Sequence, residues 1–67
     1  MKVTVNGEVR ELPEGATTLR AVLVHLRYSF PLLIVRVNGN LVERGAYDTA
    51  PVTEGDVLDL YHLVSGG

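Results

Sequence analysis

The segment Thr17-Thr18-Leu19-Arg20-Ala21-Val22-Leu23-Val24-His25-Leu26-Arg27-Tyr28 decides the fold. Leu19, Val22, Leu23 and Leu26 recur at i, i+3, i+4 and i+7, so the stretch Leu19 to Tyr28 predicts a helix with one apolar stripe. Either Thr17 or Thr18 can cap it, because a threonine hydroxyl accepts one of the backbone N–H groups left over in a first turn. Arg20, His25 and Arg27 fall off the stripe. Phe30-Pro31 is expected to end the helix, since a residue before proline avoids the helical region. A single helix with a single stripe must lie on one apolar surface, and the rest of the chain has to supply that surface as a sheet.

On the N-terminal side, Met1 to Asn6 alternates Val3 and Val5 against Lys2 and Thr4, the period of a strand. Asn6-Gly7 is a two-residue hairpin signal, because both turn positions need positive φ. Glu8 to Leu12 is the return strand, and Pro13-Glu14-Gly15 breaks it. Two registers are open: a two-residue loop pairs Val3 with Arg10, whereas a longer loop turns Val9 toward the core.

On the C-terminal side, Leu32 to Asn38 is an apolar run interrupted by Arg36, suited to a central strand. Asn38-Gly39 is a second hairpin signal, followed by a short strand at Leu41-Val42. Glu43 to Pro51 has no clear period and reads as loop, with a helical turn near Arg44 to Asp48. After the turn Glu54-Gly55-Asp56, Val57 to Val64 is a final strand with Leu58 and Leu60 on one face and Asp59 and Tyr61 on the other. The first and last strands can lie side by side in the middle of the sheet, with a right-handed crossover through the helix. That arrangement is an α+β fold, the β-grasp or ubiquitin-like fold: a mixed sheet of four to five strands with one helix on one face. The other face has no helix to cover it and is available to a partner. The expected organisation is one domain over residues 1–64 and a flexible Gly-Gly tail over residues 65–67.

Composition narrows the function. With 67 residues the chain is one domain, and a domain of this size buries only about 60% of its unfolded surface, too little for a deep internal site. There is no cysteine, which excludes disulfides, thiolate metal sites, a thiol nucleophile and a cysteine-bound iron–sulfur cluster. The net charge of −2 argues against a nucleic-acid partner. No apolar run reaches the roughly 20 residues that span a bilayer, and Met1-Lys2-Val3-Thr4 goes straight into a strand, so neither a membrane segment nor a signal peptide is expected. A cytoplasmic home fits all of this.

The chemistry sits in the last three residues, Ser65-Gly66-Gly67. At an average glycine usage of about 7%, two glycines in the last two positions are a roughly 0.5% event. Without side chains, such a tail can thread a narrow channel in another protein and bring the Gly67 carboxylate to a nucleotide there. A carboxylate is a poor electrophile. ATP activates it as an acyl-adenylate with loss of pyrophosphate, and sulfur can then displace AMP to leave a thiocarboxylate. The chain has no phosphate-cradling G-x-x-x-x-G-K-[ST] loop and no thiol. It reads as a non-catalytic carrier that binds no cofactor itself, with ATP used by a partner enzyme.

Val5-Asn6-Gly7-Glu8, Leu12-Pro13-Glu14-Gly15-Ala16-Thr17, Leu19 to Leu26, Val35-Arg36-Val37-Asn38-Gly39, Leu41-Val42-Glu43-Arg44, Gly55-Asp56-Val57 and Val64-Ser65-Gly66-Gly67 follow one another in an order that resembles the thiamine-biosynthesis sulfur carriers, the ThiS-like proteins. The resemblance covers essentially the whole chain. It implies adenylation of Gly67 by a ThiF-like enzyme, sulfur from a donor such as a cysteine desulfurase, and delivery to a ThiG-like thiazole synthase. Ser65 departs from the small apolar residue more usual at that position, which leaves open a sister role in sulfur transfer to tRNA or another metabolite. The molybdopterin synthase small subunit (MoaD-like) shares fold and tail but is usually longer. A lysine-conjugating modifier and a plain binding module complete the alternatives.

Around the tail, Asp59, Tyr61, His62 and Leu63 are the candidate partner contacts. Glu54, Asp56 and Asp59 read first as a solvated turn and second as acids that meet a basic patch on the activating enzyme. His25 and His62 stand far apart with no patterned carboxylate beside them, so no metal site is expected. Tyr47 and Phe30 fit either a core edge or an exposed anchor.

Overall fold

Asn6 and Gly7 adopt φ of 49° and 85°, the left-handed pair that a two-residue hairpin needs. That turn settles the register. Strand β1 (Lys2–Val5) pairs antiparallel with β2 (Glu8–Glu11), Val3 opposite Arg10 and Thr4 opposite Val9. Val9 therefore points away from the core and is 70% exposed. The computed structural model describes residues 1–28 and 33–62. The expected helix stop at Phe30-Pro31 and the strand residues Leu32, Leu63 and Val64 lie outside the described residues.

The helix α1 (Leu19–His25) is shorter than its apolar period predicts. Arg27 takes a positive φ of 65°, Tyr28 N–H donates to the Leu23 carbonyl at 2.8 Å, and Arg27 N–H donates to that of Val24 at 3.1 Å. These are the two bonds of a Schellman cap, which closes the helix before the proline is reached. At the other end Thr18 is the cap, its hydroxyl accepting from Ala21 N–H at 3.2 Å. The N–H groups of Leu19 and Arg20 donate to the carbonyls of Ala50 and Tyr47, both at 2.9 Å. The aperiodic loop after the fourth strand thus satisfies donors that a first helical turn leaves without partners.

The remaining strands are β3 (Leu33–Val37), β4 (Asn40–Val42) and β5 (Val57–His62), with a 3₁₀ turn at Arg44–Ala46. The sheet has five strands in the order β2-β1-β5-β3-β4. Only the central β1–β5 pair is parallel, with Thr4 beside Val57 and Val5 beside Leu58. Together with the single helix on one face, this is the mixed-sheet β-grasp.

The core lies between α1 and one sheet face. Val3 and Val5 from β1, Val35 from β3, and Leu58 and Leu60 from β5 meet Leu19, Val22 and Leu23 of the helix, all of them buried. Each such side chain contributes about 1.5–3 kcal/mol by leaving water. Tyr47 belongs to this core rather than to the surface: it is 9% exposed and its hydroxyl donates to the Leu33 carbonyl at 3.2 Å.

Candidate functional site

Strict alternation along β5 puts Leu58 and Leu60 under the helix and leaves Val57, Asp59 and Tyr61 on the uncovered face. The registers extend that face across the sheet. Ile34 stands opposite Tyr61, Arg36 stands between Asp59 and Leu41, and Thr4 stands between Val9 and Val57. The result is a mixed surface in which Val9, Ile34, Leu41, Val57 and Tyr61 stand around Arg36 and Asp59, with Lys2 opposite Glu11 toward the β2 edge; Leu41 is 63% and Tyr61 53% exposed. Among the expected partner contacts, Asp59 and Tyr61 share this face. His62 has the opposite parity: it stands at the end of β5 on the helix side, its ring 5.5 Å from that of Tyr28 and tilted by 43°. Leu63, Ser65, Gly66 and Gly67 lie outside the described residues. Sequence reading did not single out Val9, Ile34, Arg36, Leu41 or Val57 for this surface, although strand parity was the signal that could have found them.

β5 is held at its start and again at Leu60 by asparagine side chains. Asn6 Oδ1 accepts from Leu60 N–H at 2.8 Å and its Nδ2 donates to the Leu60 carbonyl at 3.0 Å. Asn38 Oδ1 accepts from Val57 N–H at 2.9 Å and its Nδ2 donates to Asp56 at 3.0 Å. Both residues were legible only as turn formers. An asparagine amide offers the same donor and acceptor as a peptide group, so each turn also extends the ladder.

The three acids near β5 separate into different roles. Asp56 closes its own turn, accepting from Thr53 N–H at 2.8 Å and from the Thr53 hydroxyl at 3.2 Å. Partial burial pushes its carboxyl upward, but these bonds and that from Asn38 outweigh burial and hold it below the usual aspartate value. Glu54 accepts from Lys2 N–H at 3.1 Å. Only Asp59 faces the open side. Among the described residues, no group of three histidine, cysteine or acidic side chains converges as a metal site, and no helix is long and apolar enough to cross a membrane.

The sequence model of the ThiS family matches residues 3–67. A thiazole synthase of Magnetococcus marinus is 33% identical over 67 residues, a match that takes in all of this chain and 20% of that protein. The chain thus spans about one fifth of that relative's length. Among solved structures, the crystal structure of the thiamine biosynthesis protein ThiS from Geobacter metallireducens superimposes with a TM-score of 0.85 at 28% identity, covering all of both chains. The solution structure of a thiamine biosynthesis protein from the same organism gives 0.79 at 28% identity, over all of this chain and 88% of the other.

Proposed function

Since the chain belongs to the ThiS family, we propose that it is a sulfur carrier of thiamine biosynthesis whose working group is the carboxylate of Gly67. A ThiF-like enzyme spends ATP to join that carboxylate to AMP, releasing pyrophosphate. A persulfide supplied through a cysteine desulfurase then attacks the acyl carbon and expels AMP, and a second thiol cleaves the resulting acyl disulfide, becoming the disulfide itself and leaving a thiocarboxylate. The carrier itself supplies no acid, base or nucleophile for these sulfur-transfer steps. It supplies a reactive end and a surface by which enzymes hold it.

The observation that carries this reading is a family match that runs through to Gly67, together with a sheet face that no helix among the described residues covers. Ser65 and Gly66 present little side chain to a narrow channel. Asp59 and Tyr61, with Arg36 and Leu41 beside them, form the docking face; His62 and Leu63, next in the sequence, are further candidate contacts. Tyrosine and arginine are residues that protein contacts favour, and both stand on this face. The kinship with one fifth of a thiazole synthase supports thiazole formation as the destination of the sulfur, with a thiazole synthase as the receiving partner.

The test is pyrophosphate release. With the activating enzyme and ATP, the chain ending in a free Gly67 carboxylate drives ATP–pyrophosphate exchange. The same chain ending in a Gly67 carboxamide does not. Equal exchange with both forms would remove Gly67 from the mechanism.

A further inference from the structure

The end of β5 has unequal neighbours. On the β3 side backbone pairing persists to the last described residue, with Ile34 opposite Tyr61 and Leu33 opposite His62. On the β1 side the strand ladder stops with Val5 beside Leu58. Asn6 N–H still reaches the Leu58 carbonyl at 2.9 Å, and then Asn6-Gly7 turns the chain away. One further step is made by a side chain: the Asn6 amide takes both polar groups of the Leu60 backbone, at 2.8 and 3.0 Å. From there seven residues remain to Gly67.

Turn chemistry does not require this arrangement. At a φ of 49° glycine or aspartate would serve the hairpin as well as asparagine. Only asparagine combines tolerance of that φ with a donor and an acceptor at this reach. The second bond has no role in the turn. Its only target is the strand that leads into the tail.

We propose that Asn6 is a positioning residue: its grip on Leu60 fixes the line along which the chain leaves the sheet, and so sets where Gly67 is presented inside an activating enzyme. The inference rests on the carrier function proposed above. Asn6 does not touch the reacting atoms. It acts through the strand, and misplacement of a reacting group by about 1 Å can cost on the order of 100-fold in rate.

Two variants separate the hold from the turn. Asn6→Gly keeps the positive φ and deletes both bonds. Asn6→Asp keeps the acceptor for Leu60 N–H and removes the donor to the Leu60 carbonyl. Circular dichroism confirms that each is folded at the assay temperature. In ATP–pyrophosphate exchange with the activating enzyme, both are expected to lower kcat by about tenfold or more while KM for the carrier stays near that of the parent chain. NMR order parameters of Tyr61 and His62 are expected to fall in both variants, with or without enzyme. Unchanged order parameters in Asn6→Gly would overturn the inference, as would a raised KM with intact kcat, which marks a direct contact with the enzyme instead. Should the parent chain itself give no exchange while the order parameters fall as expected, the carrier function fails and the hold on β5 stands as a structural fact.

Discussion

The side chain of Asn38 accepts a hydrogen bond from the Val57 N–H at 2.9 Å, so the second Asn-Gly turn grips the start of β5 as the first grips a point near its end. The central strand, which leads into the tail, is thereby fixed through two turns that look identical in the sequence. Asn38→Ala loses two side-chain bonds, worth about 1 kcal/mol each. Alanine keeps the β-carbon at a φ of 51° but lacks the short polar side chain that lets asparagine tolerate the left-handed region, which costs on the order of 1 kcal/mol more. Urea unfolding is expected to show a loss of about 2–4 kcal/mol, and Asn38→Gly about 1 kcal/mol less damage than that.

Asp56 predicts an acid limit to stability. Its folded pKa lies below the unfolded value, because the bonds from Thr53 and Asn38 outweigh its partial burial. The stabilisation is therefore fully present above the unfolded aspartate value and is lost as pH falls through the lowered folded value. Denaturant midpoints taken on the way down from neutral pH are expected to decline in this window, and less steeply in Asp56→Asn.

The Met1 ammonium gives the opposite sign. Its value is raised, first by the hydrogen bond to Glu11 at 2.8 Å and then by that to Glu14 at 3.2 Å. Its contribution is present below the unfolded amine value and fades as pH rises through the raised folded value. Acetylation of Met1 is expected to flatten the alkaline limb of the same titration, and to soften the acid limb as well, because the same ammonium holds the Glu11 carboxyl below its usual value.

Arg27 is a residue whose change should strengthen the fold. It holds the left-handed position of the helix cap at a φ of 65° with a side chain that disfavours it. Arg27→Gly is expected to raise stability by about 1 kcal/mol, read as a higher urea midpoint at unchanged slope.

On the open face, Leu41→Asp leaves the core untouched, since Leu41 is 63% exposed. Unfolding should shift by less than about 0.5 kcal/mol. Binding to the activating enzyme, measured by calorimetry, should weaken by about tenfold or more if this face is where the enzyme sits.

Much of this fold was legible because periodicity carries it. The spacing of Leu19, Val22, Leu23 and Leu26 located the helix, and the parity of Leu58 and Leu60 located the core face of β5. The two Asn-Gly pairs located both hairpins. Elements set by backbone bonding were not legible. Nothing in the arginine side chain announces the left-handed cap at Arg27. The loop carbonyls of Tyr47 and Ala50 serve the helix start through atoms every residue possesses. The candidate site divides the same way. Gly67 could be singled out by composition, whereas the hold of Asn6 on Leu60 joins residues 54 apart in the chain, a distance over which a local pattern says nothing.

The most direct measurement is tandem mass spectrometry of the carrier after incubation with ATP, the activating enzyme and a sulfur donor. Replacing oxygen by sulfur adds about 16 Da, nominally the same gain as oxidation of a methionine, so the position of the gain must be read from fragments. The expected result is an ATP-dependent gain on the fragment ending in Gly67. A gain confined to Met1, the one methionine of the chain, or no gain from an enzyme that charges another carrier under the same conditions, would contradict the assignment.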